Sequence, residues 1–326
     1  MLVLDEAAVR AALTPAAAIA SMRATMSALA RGEAYQPLRG VADPPAVDGL
    51  MVLKPAWVGA GVEAFGVKVV SLFPDNASRG LAAVQGLVAL VDPETGVPTT
   101  IVEGATVTEL RTAAVSAVAT DLMAAPDAGD LALIGAGVQA RAHLLALREV
   151  RPVRRVRVWN RTPSRAAELV AWAAGLGIGV EAVGSAADAV RGADLVCVAT
   201  TSPEPLLDGD WLSPGAHVNA VGAFRPADRE LHTNAVARAH VVVDSRESAL
   251  TEAGDLLLPI KEGAIDESHI VGELGEVLLG LRPARGDAGQ VTLYKSLGLA
   301  VQDVAAAQEV VRRARELGLG VEVPFP

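Results

Sequence analysis

The stretch best suited to chemistry is Leu131-Ala132-Leu133-Ile134-Gly135-Ala136-Gly137-Val138-Gln139-Ala140, an apolar strand that passes through two glycines into a helix. Gly135 permits a tight turn, Gly137 lets the backbone approach a pyrophosphate, and the small Ala140 allows close packing of helix on strand. The free N–H groups at the helix start, around Val138 and Gln139, suit a phosphate. A second strand, Val156-Arg157-Val158-Trp159, follows about 20 residues later and ends at Asn160-Arg161-Thr162. An NAD-specific fold usually places Asp or Glu there, on the ribose hydroxyls. No acid is present, and Arg161 is placed to face a 2′-phosphate, with Thr162 and Arg165 able to join it. The same letters fit an ordinary βα turn and a loop-capping arginine; their succession on strand, turn, helix and second strand favours a nucleotide. NADPH is the expected cofactor, with NADH possible.

Two cations upstream suit a different task. A small carboxylate in a dry pocket needs a planar, bidentate partner, which Arg111 offers. Lys68, between apolar neighbours in Val67-Lys68-Val69-Val70, would have its pKa lowered by burial into a range useful for proton transfer. Taken singly, Lys68 also reads as a surface residue on an alternating strand, and Arg111 as a helix-face ion pair.

The elements that must position these groups fall into three regions. In the first, Asp5–Arg10 and Pro15–Arg31 have helical spacing, with Thr14 as N-cap and Gly32 as stop. Short runs at Gly49–Pro55, Ala64–Leu72, Leu81–Asp92 and Pro98–Glu103 are separated by turn signals and predict a mainly antiparallel sheet. A helix over Thr106–Ala124 leaves that sheet. From Asp130 apolar strands alternate with helices: Leu131–Ile134, Arg154–Trp159, Leu195–Ala199, His217–Val221 and Val241–Asp244. This is the rhythm of a parallel sheet covered on both faces. Thr200 and the pair Val221-Gly222 then stand at strand ends, where ligands of such sheets bind. The third region, from Thr292 on, carries one amphipathic helix, Ser296–Leu317, expected to return to the first region. The fold class is therefore α/β, a Rossmann-type doubly wound parallel sheet (residues 121–299) inserted in an α+β domain (residues 1–120 with 300–326).

Bulk properties narrow the partners. A chain of 326 residues exceeds one comfortable core. Its net charge of −10 argues against nucleic acid, which demands a basic face. No apolar stretch is long enough to span a membrane, and the start, with Asp5 and Glu6, lacks the basic region of a signal peptide. The single cysteine, Cys197, forbids an internal disulfide and reads as a small buried hydrophobe; a cytoplasmic location is expected. The histidines lack paired ligand spacing, so no metal site is expected. His217 reads as structural, and Glu273 with Glu276 as capping or solvated acids.

Several blocks, in order, resemble the ornithine cyclodeaminase/mu-crystallin family: Glu109-Leu110-Arg111-Thr112-Ala113-Ala114, the glycine turn with Gln139, Pro214 to Ala223, Arg225-Pro226 with Arg229-Glu230-Leu231, Glu273 to Val277, and Lys295-Ser296-Leu297-Gly298. The resemblance runs from about Arg39 to Asp303. It implies a homodimer, with the sheet domain carrying both the dimer contact and the substrate site. It also implies that Arg39, Lys68 and Arg111 line that site.

One departure bears on the reaction. Cyclodeaminases and the related alanine dehydrogenases carry an acid/base aspartate just after the strand ending here at Gly222-Ala223, and this chain places Phe224 there. Phenylalanine cannot relay a proton, so ammonia-losing cyclisation of ornithine with NAD is disfavoured. The arrangement is similar to ketimine reductases and Δ1-pyrroline-2-carboxylate reductases. They imply NADPH-dependent reduction of a small cyclic 2-imino acid, Δ1-pyrroline-2-carboxylate or Δ1-piperideine-2-carboxylate, to L-proline or L-pipecolate. Lys68 would act on the imine nitrogen and Phe224 would pack on the substrate ring or nicotinamide. The alternatives are an ornithine cyclodeaminase, an amino-acid dehydrogenase of the alanine type, and a non-enzymatic NADPH-dependent binder of small ligands.

Overall fold

The computed structural model describes residues 1–325, without the side chain of Ala77. The chain forms two compact units: Met1–Thr112 with the segment from Gly298 onward, and Ala113–Leu297. The expected boundaries at 120/121 and 299/300 fall later in the chain, inside the helix Gly104–Met123 and at the start of the helix Ala300–Leu317.

The first unit is built on an eight-stranded sheet. Its strands are β1 (Leu2–Leu4), β2 (Ala34–Tyr35), β3 (Gly40–Ala42), β4 (Leu50–Val58), β5 (Ala64–Leu72), β6 (Val84–Val91), β7 (Pro98–Glu103) and, from the end of the chain, β16 (Val321–Glu322). The four long strands β4 to β7 form an antiparallel meander, and β1 adds to β7 in parallel. Alternation decides the two faces. Along β4, Val52, Lys54, Ala56 and Val58 turn inward, while Met51, Leu53 and Trp57 stay exposed. The helix Ala300–Leu317 packs on β4, β5 and β6 and on the helix Pro15–Ala30. Thr14 caps that second helix by accepting from the Ala17 N–H, with Pro15 as its first residue.

The second unit carries eight parallel strands: β8 (Asp130–Ile134), β9 (Arg155–Trp159), β10 (Glu181–Ala182), β11 (Leu195–Val198), β12 (His217–Ala220), β13 (His240–Val243), β14 (Ile270–Glu273) and β15 (Thr292–Lys295). Their order is β10-β9-β8-β11-β12-β15-β13-β14. Succession reverses between β8 and β11, the switch point at which open α/β sheets bind ligands. Strands β11, β12 and β15 are buried at every residue; β11 reads as an unbroken apolar run, as expected of a strand covered on both faces, whereas β12 and β15 also bury His217, Asn219, Thr292 and Lys295.

Thr292–Lys295, inside the span 121–299 read as the parallel-sheet domain, is an interior strand of that sheet, pairing with both β12 and β13. One expectation needs correction. The helix expected over Ser296–Leu317 starts only at Ala300. Gly298 adopts φ +77° and Leu299 is extended, so the segment between strand and helix cannot be helical. No helix among the described residues is long and apolar enough to cross a membrane.

Candidate functional site

In the first unit, β4 and β5 place Lys54 and Lys68 directly opposite each other on the inner face. Like charges in that relation are destabilising, and both side chains are almost wholly buried. The compensation is Asp303, in the first turn of the helix Ala300–Leu317 and 0% exposed. Its Oδ1 accepts from Lys68 Nζ at 2.7 Å and from Arg111 Nε at 2.8 Å, and its Oδ2 lies 3.9 Å from Lys54 Nζ. Lys68 Nζ also donates to Thr108 Oγ1 at 3.1 Å, and Lys54 Nζ to the Gly298 carbonyl at 2.9 Å. Arg111 is fixed further by Gln302 Oε1, at 2.9 Å from Nη1. Its guanidinium lies so close to Gly298 that a Cβ there would come within 2.6 Å of both Nη atoms.

Glu103, at the end of β7, starts the helix that carries Thr108 and Arg111. Its carboxylate accepts from the N–H groups of Ala105 and Thr106, an N-terminal cap. Arg39, half-buried between β2 and β3, is near enough for its charge to disfavour the ammonium of both lysines.

The electrostatics follow from burial. Desolvation pushes the Lys68 ammonium down to about 8; Asp303 opposes this, and Arg111 and Arg39 add to it. Lys54 is pushed well below the usual lysine range by burial and by the facing Lys68. Burial alone would raise the Asp303 carboxyl, but Arg111, Lys68 and Lys54 together hold it well below the usual carboxylate range. Lys54, Lys68 and Arg111 thus converge on one buried carboxylate, with the charge of Arg39 felt by both lysines. Of the residues that the resemblance named, Lys68 and Arg111 share the carboxylate of Asp303, and Arg39 lies near enough to act on Lys68. Lys54 and Asp303 are additions. Lys54 shares the inward parity of its strand with Val52 and Ala56; Asp303 carried no sequence signal beyond its place in an amphipathic helix.

In the second unit a cavity of about 450 Å³ opens at the carboxyl ends of β8, β9 and β11. Gly135, Gly137, Val138, Asn160, Arg161, Thr162 and Thr200 all line it. Gly135 has φ +108°, and a Cβ on it would lie 2.4 Å from the Ala199 carbonyl oxygen. Only glycine fits this turn. Around Gly137 there is open space, and as N-cap it offers no side chain to the helix Val138–Val150. That leaves the helix-start N–H groups for a ligand. The residues therefore fit a dinucleotide phosphate.

Arg165 also lines the cavity, paired with Glu168 at 3.1 Å. So does Arg141, which lies over the Trp172 ring. Gln139, Val221 and Gly222 do not line it. The Gln139 carbonyl accepts from buried His143, the Val221 N–H donates to Val198, and the Gly222 N–H donates to Glu230. Phe224 packs against the apolar core of this unit, with the Arg225 guanidinium over its ring.

Three expected bystanders have structural partners. Cys197 is buried, which pushes its thiol up and makes it unreactive. His217 Nδ1 bonds Thr292 Oγ1 at 2.9 Å. Glu276 accepts from the Glu273 N–H in a capping box.

The family model described as the ornithine cyclodeaminase/mu-crystallin family matches residues 1–318. The chain belongs to this family. Among curated relatives, the ketimine reductase mu-crystallin of Mus musculus is 39% identical over 279 residues, covering 86% of this chain and 85% of its own. Among solved structures, the Thermococcus litoralis Δ1-pyrroline-2-carboxylate reductase, in complex with NADH and L-proline, superposes with a TM-score of 0.96 at 38% identity, covering 99% of this chain and 100% of its own. An archaeal alanine dehydrogenase dimer with bound NAD gives a TM-score of 0.93 at 28% identity, covering 100% of this chain and 99% of its own.

Proposed function

We propose that this family member is an NAD(P)H-dependent oxidoreductase that reduces a small cyclic 2-imino acid, Δ1-pyrroline-2-carboxylate or Δ1-piperideine-2-carboxylate, to L-proline or L-pipecolate. The observation that carries the reading is the surplus of cations around Asp303. Such a surplus of positive charge suits a carboxylate next to a group that needs a proton.

The chain's own residues divide the work as follows. Arg111 spends Nε and Nη1 on Asp303 and Gln302; its Nη2 group would meet the substrate carboxylate, to which Arg39 would add its charge. Lys68 has three donors and gives two to Asp303 and Thr108; the third serves the imine nitrogen. As the C=N bond is reduced, the carbon gains a hydride and the nitrogen gains the Lys68 proton. Asp303 keeps Lys68 charged against its burial and so keeps the proton available. A reduced nicotinamide, when bound, supplies the hydride. Gly135, Gly137, Val138 and Thr200 would hold its dinucleotide, and Asn160-Arg161-Thr162 would take the 2′-phosphate of NADPH, the preferred form. Phe224, with no proton to move, favours imine reduction over chemistry that expels ammonia.

A homodimer is also proposed, through the outer face of the first unit's sheet. Met51, Leu53, Trp57 and Phe65 are exposed there on the adjoining strands β4 and β5. A continuous apolar patch of this kind marks an association surface, and sedimentation equilibrium of the purified chain reads its outcome directly.

The deciding experiment follows absorbance at 340 nm with NADPH and each cyclic imine, beside L-ornithine plus NAD with ammonia detection. Turnover of a cyclic imine without ammonia from ornithine is expected. Ammonia release would overturn the reading of Phe224, and tight NADPH binding without oxidation would make the protein a binder.

A further inference from the structure

The second unit buries three charged side chains, Glu230, Asp255 and Lys295, that the mechanism above does not use; each is 0% exposed. Glu230 Oε1 accepts from the Thr200 N–H and from the Thr200 hydroxyl, both at 2.7 Å. Its Oε2 accepts from the N–H groups of Gly222 at 2.6 Å and Ala223 at 3.0 Å. One carboxylate therefore gathers donors from the loop after β11 and from the loop after β12. Asp255 holds Glu230 in turn: its Oδ1 accepts from the N–H groups of Glu230 and Leu231, and its Oδ2 from Lys295 Nζ at 2.7 Å. Lys295 Nζ also donates to the Ala223 carbonyl at 2.6 Å, so the network closes on the loop where it began.

Burying such a group costs several kcal/mol before its hydrogen bonds are counted, and packing alone could join two strands more cheaply. A carboxylate does what apolar packing cannot: it sets the spacing and direction of loop N–H groups that the parallel ladder no longer pairs. The fit is tight. A Cβ on Gly222 would lie 2.0 Å from the Thr200 carbonyl oxygen, so the two loops meet with room for glycine only. On its other side, the loop after β11 is a wall of the cavity, through Ala199, Thr200, Thr201 and Ser202. A dinucleotide anchored by its phosphates at the Gly135 turn extends in two directions. The adenosine half goes toward Asn160-Arg161-Thr162, and the other half passes the carboxyl ends of β11 and β12.

We propose that Glu230 is the positioning residue for the nicotinamide half of the cofactor: it fixes the loops after β11 and β12, while the adenosine half is held without it. The inference rests on the dinucleotide reading of the cavity. Glu230→Gln keeps the volume and one acceptor but turns an NH₂ group against one of the loops, donor facing donor.

Calorimetric titration of the full chain with NADH and with ADP-ribose, which lacks the nicotinamide, tests it. The variant should bind NADH roughly tenfold or more weakly, with ADP-ribose affinity within about threefold of wild type. Equal weakening of both ligands, or no change in either, overturns the proposal. If Glu230→Gln loses its cooperative thermal transition, Glu230→Asp, which keeps the charge but is one methylene too short to reach both loops, replaces it. This shorter variant should bind NADH more weakly with ADP-ribose affinity kept, whereas equal weakening of both ligands or no change in either overturns the proposal. Wild-type protein that binds neither ligand overturns the cofactor reading and this inference together. Normal NADH binding without imine turnover would instead sink only the reductase assignment.

Discussion

The cavity proposed for the dinucleotide and the cation cluster proposed for the substrate would recognise charge by opposite means. In the cavity, recognition is largely a backbone matter. On the proposed reading, a glycine turn and an uncapped helix start offer N–H groups to a phosphate, and each follows directly from the strand before it. In the cluster the recognising groups are long side chains from distant parts of the chain; Arg111 and Asp303 are 192 residues apart and Lys54 and Gly298 are 244 apart. The backbone site is insensitive to most side-chain changes and intolerant of a Cβ at Gly135. The side-chain site is a balanced set of buried charges, in which removal of one member leaves another uncompensated.

The largest effect should come from breaking that balance where it meets the chemistry. Lys68→Ala removes the proposed proton donor, and kcat for imine reduction should fall by about 10²–10⁴-fold, while NADPH titrates into the variant with wild-type affinity. A variant with an unchanged rate would mean that Lys68 serves only to balance Asp303. Loss of cofactor affinity along with the rate would mean that the cavity and the cluster are not the separable sites described above.

The same contrast explains what can be read from the residues alone. The turn Gly135-Ala136-Gly137 is legible because its function is local: strand, glycines and helix start are contiguous, and the turn needs only these ten or so residues to exist. Lys68 and Arg111 are legible as types, since a lysine amid valines and an arginine on an apolar helix are both costly to bury. Asp303 is not. An acid in the first turn of a helix is what the helix dipole favours in any protein, and only the packing of that helix on β4 and β5 turns it into the counter-ion of three cations. Lys54 is half legible: its parity on an alternating strand is plain, but its register with Lys68 is a tertiary fact. The position of Thr292–Lys295 between β12 and β13 is set by neighbours far away in sequence, which no local pattern reports. Edge strands of two or three residues, such as Leu2–Leu4 and Val321–Glu322, are too short to show a period at all.

A smaller effect is expected in the cavity. Arg161 is exposed at the rim, beside Asn160 and Thr162, so it contributes a charge-assisted contact rather than an element of the fold. Arg161→Ala should raise KM for NADPH by roughly 10- to 100-fold, one lost contact of this kind, and leave KM for NADH near wild type. The two cofactors measured side by side sharpen the comparison: a side-chain contact added to a backbone site should be removable without damage to the site. Equal rises for both cofactors would place Arg161 on the shared part of the dinucleotide instead.

The pH dependence gives the smallest effect and reads the cluster without breaking it. With the Lys68 ammonium near 8, the charged, donating form predominates at pH 7 and is lost as pH rises. The reduction rate should therefore fall with rising pH, by about tenfold between pH 7 and pH 9. The sign is opposite to that of a base-catalysed step, for which the rate would climb over the same interval. Asp303 raises the Lys68 pKa, so Asp303→Asn should move the falling limb to lower pH. Arg161→Ala should leave the limb where it is, because Arg161 is not among the groups that set the charge of Lys68 or Asp303. A profile flat to pH 9 in the wild type would remove Lys68 as the proton donor. A limb that stayed in place in Asp303→Asn would mean that burial alone, rather than the shared carboxylate, sets the lysine's charge.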